Sequence, residues 1–192
     1  MCLYDRFMQR ATSYSACIKS RNPFVATIGL VDADILMVGY CPPRANTVLH
    51  LVYQSRVDNL RSVLEKDSDR LAFTWLIKKR PRFAYSIGQA GKLWREYLLI
   101  EIALRQPKYV VLWGVDLVNC LFQSHYDNIN EIRHTRFELA SFPNVVFVVT
   151  HDIDQVAAVD DQHPLFHYWE FDHLAVVKDL PNYFHRVVEV PL

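Results

Sequence analysis

Four short apolar runs, each followed by a polar loop or a loop with glycine or proline, place the strongest constraint on the fold of this 192-residue chain. They are rich in Val, Ile and Leu and span residues 33–39, 71–77, 109–114 and 145–150. Such composition is typical of parallel strands that helices cover on both faces. The segments between the runs are long enough for the helical crossovers that parallel strands require. We therefore predict an α/β fold with three layers, α/β/α, around a four-stranded, mainly parallel sheet.

The carboxyl ends of parallel strands meet at one edge of a sheet, and ligands of open α/β folds bind at that edge. The loops after the four runs are therefore the predicted ligand site. Dinucleotide-binding folds and P-loops need a glycine-rich turn so that the backbone can approach the phosphates. The chain has five glycines and neither motif. These two nucleotide-binding classes are excluded.

Composition indicates a single globular domain over residues 1–192, with residues 1–24 as a lead-in segment. The formal net charge is zero, so no global charge indicates a nucleic-acid partner. The basic tract Lys78-Lys-Arg-Pro-Arg82, directly after the second run, is the local exception. No apolar run approaches the roughly 20 residues of a membrane span. The first residues also lack the layout of a secretory signal, so we expect a cytoplasmic protein without a membrane partner.

The cysteines are spaced too irregularly for a zinc site or a redox pair, and we expect free thiols at Cys2, Cys17, Cys41 and Cys120. Aspartates and histidines also gather after the fourth run, where carboxylate and imidazole groups are ordinary metal ligands. Their spacing is irregular as well. We therefore predict no metal site and no cofactor.

The apolar runs and their flanks resemble the uracil-DNA glycosylase superfamily over about residues 24–180. The resemblance lies in ADILMVGYCPP, TWLIKKRP, PKYVVLWG and VVFVVTH, which are residues 33–43, 74–81, 107–114 and 145–151. Residues 169–180 are similar to the closing helix of that fold. The resemblance implies hydrolysis of the N-glycosidic bond of a base that is flipped out of DNA.

The same resemblance implies a role for each loop. His151 is the implied donor to the leaving base or a phosphate, and Asn46 could orient the attacking water. Together these two residues form the predicted catalytic pair. The implied base pocket consists of Tyr40, Cys41, Pro42 and Trp75. The implied contacts to the nucleic-acid backbone are Arg44, Lys78, Lys79 and Arg80.

The sequence departs from the family pattern at three positions. Tyr40 and Cys41 stand where several branches carry a water-orienting acid, and Trp75 replaces the Asn that reads the base edge. Asp152 and Ile153 follow His151, where Pro-Ser is usual. These departures predict altered base specificity and leave two alternatives open. One is an inactive relative that binds nucleic acid or a protein partner, and the other is a hydrolase or transferase of a free nucleoside or nucleotide.

Overall fold

A computed structural model describes residues 2–16, 20, 22–44, 48–63, 69–83, 87–180 and 182–191. The helices are α1 (Leu3–Ala16), α2 (Val48–Val63), α3 (Ile87–Arg105), α4 (Val115–Phe122), α5 (Ile153–Ala157) and α6 (Pro164–Val177). The strands are β1 (Ile35–Gly39), β2 (Leu71–Trp75), β3 (Tyr109–Trp113), β4 (Thr135–Leu139), β5 (Val146–Thr150) and β6 (Arg186–Val190). None of the helices in these ranges is both long enough and apolar enough to cross a bilayer.

All six strands form one mixed sheet with the order β2-β1-β3-β5-β4-β6. The four predicted runs are β1, β2, β3 and β5, which pair with one another in parallel. The predicted α/β class is confirmed, but the described sheet has six strands rather than four. The two additional strands are β4, which is antiparallel to β5, and β6, which is parallel to β4. Both alternate buried or half-buried positions with more exposed ones, so neither appears in the sequence as a continuous apolar run.

The strands separate two apolar clusters, one on each face of the sheet. Successive strand residues point to opposite faces, so Leu36 and Val38 belong to one cluster while Ile35 and Met37 belong to the other. Buried residues of α1, α3 and α4 complete the first cluster. Those of α2, α5 and α6 complete the second. The described elements therefore form the predicted three layers.

The direction of winding reverses at β1. The connection from β1 to β2 contains α2 on one face, and the connection from β2 to β3 contains α3 on the opposite face. Such a reversal opens a crevice between β1 and β3 at the carboxyl edge of the sheet. The outer edge of β2 is partly covered, because Ile28 forms an antiparallel bridge with Phe73.

Candidate functional site

The parallel strands end level with one another, and this places their following loops at a common edge. Gly39 of β1 is in register with Trp75 of β2, and Trp113 of β3 is in register with Thr150 of β5. The β1–β2 pairing continues past the strands, because the Leu76 amide donates to the Gly39 carbonyl at 2.8 Å. Residues that follow β1, β2, β3 and β5 therefore surround the crevice, as predicted for the ligand edge.

The loops after β1 and β2 are joined by Arg80. Its Nη1 donates to the Pro42 carbonyl at 2.8 Å and lies 3.8 Å from Cys41 Sγ. Burial raises the pKa of the Cys41 thiol to about 11, Arg80 acts in the opposite direction, and Asp154 adds a smaller increase. Cys41 is therefore a protonated thiol at neutral pH and a weak nucleophile. The structure brings three predicted residues together here: Cys41, Pro42 and Arg80.

Tyr40 packs on the α3 and α4 side of the sheet. Its hydroxyl forms a hydrogen bond with Cys120, and burial, Cys120 and Asp116 all raise its pKa. The backbone of α3 approaches closely, since a Cβ at Gly91 would lie 2.7 Å from the Tyr40 hydroxyl oxygen. Tyr40 is thus a neutral phenol held between two helices.

An open cleft of about 920 Å³ lies beside Tyr40, between the first turns of α3 and the segment that contains α4. Its polar lining includes Lys92, Asp116, Asn119 and His125. Small-molecule sites usually have volumes of about 300–1,000 Å³. The cleft is therefore large enough for a nucleoside, and it presents both charged groups and amide groups.

Trp75 lies on the opposite face of the sheet from Tyr40 and Cys41. Its indole contacts the second apolar cluster and meets the Trp113 ring edge-on, with 6.1 Å between centroids. The ring also covers Gly39, where a Cβ would overlap the indole. A single base pocket built from Tyr40, Cys41 and Trp75 is therefore not formed. The reason is the alternation of side chains along β2, which directs Trp75 toward the second apolar cluster.

Lys78 does not occupy the position that the sequence predicted for it. Its side chain is 1% exposed and its Nζ lies 2.7 Å from Glu101 Oε2. It also hydrogen-bonds with Thr74 and Thr27. The predicted contact between Lys78 and a nucleic-acid backbone is therefore wrong for this structure, because the ammonium group is enclosed and paired.

The other residues that were predicted to contact a nucleic-acid backbone lie in different places. Lys79 Nζ donates to the Ser15 carbonyl at 3.0 Å, near the end of α1. Arg44 is exposed, and Arg80 is half-buried beside Cys41. Asn46 lies outside the described residues. Arg44 and Arg80 are thus the predicted cations that the structure places at the edge with accessible side chains.

Asp152 and Asp154 belong to the aspartates that gather after the fourth apolar run. Asp152 begins α5, and its Oδ1 accepts from the Asp154 amide at 2.9 Å. Its side chain packs on Gly114, which has a φ of 92°, and a Cβ there would lie 2.8 Å from Asp152 Oδ2. Burial raises the pKa of Asp152, and Asp116 raises it further. Asp152 is therefore a structural cap.

Asp154 differs from Asp152 because nothing in the described part of the chain hydrogen-bonds or ion-pairs with its carboxylate. Burial raises its pKa, and its charge acts on Cys41. Asp154 is exposed, and its carboxylate is near enough to Cys41 for its charge to act on the thiol. Its signal in the sequence is its place in the loop after the fourth apolar run, four residues beyond Thr150. No three His, Cys, Asp or Glu side chains in the described ranges are grouped for a metal ion.

His151 follows β5 and is separated from β1 by β3. Burial and then Arg133 lower its pKa, whereas Asp172 raises it. The imidazole is therefore neutral at neutral pH. It is 7% exposed, and its Nδ1 has no hydrogen-bond partner among the described residues. The structure places His151 beside Arg133 and Asp172, at a distance of two strands from Cys41.

No protein-family model matches the sequence, and no curated protein matches it either. The carboxyl edge has two features that could support chemistry. One is the crevice with Cys41 and Arg80, where the charge of Asp154 acts on Cys41, and the other is the adjoining cleft with Tyr40.

Proposed function

We propose that this protein is a divergent base N-glycosylase of the uracil-DNA glycosylase type, which hydrolyses the bond between a sugar and a nucleobase. The observation that carries the proposal is the contact of Arg80 with Cys41 and Pro42, together with the charge of the Asp154 carboxylate, which acts on Cys41. These groups follow three different strands yet lie at the same edge of the sheet. Together they offer a carboxylate and a guanidinium whose charges both act on a neutral thiol.

The reaction needs this separation of charges. Cleavage of an N-glycosidic bond develops positive charge on the sugar and negative charge on the departing base. A carboxylate stabilises the sugar cation and orients water, and a raised pKa makes it a stronger general base. Asp154 takes that role here. Arg80 donates to the anion that forms on the base or to an adjacent phosphate.

The neutral residues of the site define its walls. Cys41 and Tyr40 both stay protonated at neutral pH, so neither competes with water as a nucleophile. The cleft beside Tyr40 accepts the base after it leaves the stack, and Asn119 and Asp116 line that cleft. Trp75 has no part in this arrangement, because it packs on the other face of the sheet.

The position of Lys78 favours a second candidate, hydrolysis of a free nucleoside or nucleotide. Affinity for DNA depends on cations that neutralise backbone phosphates. Lys78 is enclosed with Glu101, and Lys79 bonds to the Ser15 carbonyl. Fewer cations are left to follow a strand than the sequence suggested. A small substrate would need only the crevice and the cleft.

The test compares three sets of substrates with the same purified protein. Single-stranded and duplex oligonucleotides that each carry one deaminated or alkylated base are scored for abasic sites. Free nucleosides and nucleotides are scored for released base by chromatography. Release from oligonucleotides supports the first candidate, and release from monomers alone supports the second. Binding without any base release would refute both and indicate an inactive relative.

The variant Asp154→Asn tests the proposed base. Loss of a general base typically costs about a hundredfold or more in rate. Asp160→Asn is the matched control, because it removes a nearby charge while Asn can still accept the hydrogen bond from the Gln162 amide. Equal activity of Asp154→Asn and the wild type would eliminate Asp154 from the mechanism.

A further inference from the structure

A second polar cluster lies at the same edge of the sheet, around the buried carboxylate of Asp172 on α6. Its Oδ2 accepts from Thr150 Oγ1 at 2.6 Å, and its Oδ1 accepts from Arg133 Nη2 at 3.0 Å. The Tyr183 hydroxyl also donates to Oδ1. Asp172 is 1% exposed, and these donors satisfy both of its oxygens. It therefore acts on its neighbours by fixing their positions.

Arg133 is the neighbour whose orientation is determined most completely. Its Nε and Nη2 face Asp172, and Nη2 also donates to the Tyr183 hydroxyl at 3.1 Å. The guanidinium lies 4.6 Å from the centroid of the Tyr168 ring. No hydrogen bond from Nη1 is present within the described ranges, and the side chain is 14% exposed. One end of a rigidly held guanidinium is thus left to donate outward.

His151 lies close to this arginine through a shared neighbour. Arg133 and Thr150, the residue before His151, both donate to the Asp172 carboxylate. His151 Nδ1 is buried without a partner in the described structure. A buried polar atom with no partner costs about 1–3 kcal/mol, so such an atom usually meets a water or a ligand.

Imidazole and guanidinium groups surround this pair. Arg133 and His134 directly precede β4, His185 directly precedes β6, Arg186 begins β6, and β4 and β6 run parallel. The imidazole rings of His134 and His185 lie 6.2 Å apart and 18° from parallel. Burial and the charge of Arg133 lower the pKa of His134, so the guanidinium groups of Arg133 and Arg186 carry the positive charge here, and Asp172 offsets that of Arg133.

We propose that Arg133 and His151 form a subsite for a phosphate group, with Asp172 and Tyr183 as positioning residues. Arg133 Nη1 donates to one phosphate oxygen, and the neutral imidazole donates from Nδ1 to another. Arginine suits phosphate because its planar group offers several donors in a fixed geometry. This subsite is separate from the proposed hydrolytic site. Only the identity of the molecule that bears the phosphate rests on the proposed function. That molecule is a nucleotide, either a free monophosphate or part of a strand.

The test follows the imidazole resonances of the isotopically labelled full chain by NMR. The resonance of His151 is assigned by comparison with His151→Gln. Inorganic phosphate, a nucleoside 5′-monophosphate and a dinucleoside monophosphate are the probes, and chloride at equal ionic strength is the control anion. We expect phosphate, and not chloride, to shift the His151 resonance. Arg133→Met should weaken phosphate binding at least about tenfold, the effect of losing one charge-assisted hydrogen bond.

Arg136→Met is the matched control, because Arg136 lies on β4 and pairs with Glu138 instead of Asp172. It should bind phosphate as the wild type does. Arg133→Met removes two hydrogen bonds to Asp172, so the double variant Arg133→Met/Asp172→Asn provides a second measurement if the single variant unfolds. Unchanged phosphate affinity in a folded Arg133 variant would overturn the proposal, as would an unshifted His151 resonance in the wild type.

The two organic probes distinguish the carriers. Tighter binding of the monophosphate indicates a free nucleotide, and tighter binding of the dinucleoside monophosphate indicates a strand. Asp154→Asn should retain the phosphate response. Base release and phosphate binding can therefore fail independently, because the response needs no turnover.

Discussion

Two buried carboxylates with similar partners lie in different parts of this molecule. Among the described residues, only one of them pairs with an arginine that has an N–H group without an acceptor. Glu101 of α3 contacts Lys78 Nζ at 2.7 Å, Arg105 Nε at 3.1 Å and the Tyr4 hydroxyl at 3.1 Å. Asp172 of α6 likewise binds an arginine, a tyrosine and a threonine. We refer to these as the Glu101 network and the Asp172 network.

The arginines show the difference. Arg105 Nη1 donates to the Leu30 and Val31 carbonyls, and its Nη2 donates to Tyr4, so that no end of the guanidinium is unused. Arg133 leaves Nη1 without a bond in the described structure and lies partly at the surface. A buried ionic network that satisfies all its groups holds elements together, here α1, β2 and α3. A network with an unused hydrogen-bond donor can also bind a ligand.

The largest expected effect comes from opening the Glu101 network. Glu101→Gln removes the carboxylate that pairs with buried Lys78 and Arg105, which leaves uncompensated charge in the core. Breaking a buried pair in this way costs about 3–5 kcal/mol of unfolding free energy. Urea denaturation followed by circular dichroism measures the loss.

Glu96→Gln is the control for that measurement, since Glu96 lies on the same helix and is 69% exposed. Its removal should change the unfolding free energy by less than about 0.5 kcal/mol. If both variants lost equally little, Glu101 would not be what joins α1 and β2 to α3.

Opening the Asp172 network should lower the unfolding free energy by less than opening the Glu101 network. Asp172→Asn weakens the bonds to Arg133, Thr150 and Tyr183, but Arg133 can recover hydration at the surface. We expect a loss of about 1–3 kcal/mol in urea denaturation, together with a weaker phosphate response. Glu138→Gln, which alters a surface pair with Arg136, should stay within about 0.5 kcal/mol of the wild type. A loss as large as that of Glu101→Gln would show that both networks are mainly structural.

The sequence predicted the layout of the sheet better than the placement of side chains. Four apolar runs identified the parallel strands and the edge at which their carboxyl ends meet, because burial on both faces requires continuous apolar sequence. The alternating residues of β4 and β6 carry a weaker signal, since half-exposed strands accept polar residues. Trp75 was assigned to the wrong face of the sheet. The register between Trp75 and Gly39 was needed to show which residues of β2 point to which face.

Lys78 shows why charged residues were harder to place. It begins a basic tract, and such tracts usually face solvent. Its burial depends on Glu101, which lies one helix later in the chain and which no local pattern associates with Lys78. The pairing of Arg133 with Asp172 has the same origin. Local sequence gives the composition of a loop or helix face, whereas these pairs are set by tertiary packing.

Tyrosine variants in the two networks test the same difference with smaller expected losses of stability. Tyr4→Phe and Tyr183→Phe each delete a hydroxyl that bridges a carboxylate and an arginine, so each should lose about 1 kcal/mol of unfolding free energy. Only Tyr183→Phe should also weaken phosphate binding, because Arg133 loses the acceptor that fixes Nη2. Tyr109→Phe, whose hydroxyl bonds with exposed Asp179, serves as the control. Equal phosphate affinity in all three variants would contradict the positioning role of Tyr183.

The smallest expected effect is a difference in the pH at which each network loses stability. Burial alone would raise the pKa of Glu101, but Lys78, Thr27 and Arg105 lower it, so its contribution is present above about pH 4.3 and is lost below that value. The lowered pKa of His151 means that its neutral form contributes above about pH 6.5, and that this contribution falls as the pH drops further. Between about pH 7.5 and pH 5.5, the wild type should therefore lose more unfolding free energy than His151→Gln, because unfolded histidine binds a proton in that range. His173, whose pKa burial lowers to about 4, contributes equally to both proteins and cancels in the difference. Identical pH profiles from urea denaturation would place His151 in contact with solvent and contradict the burial of its unpartnered Nδ1.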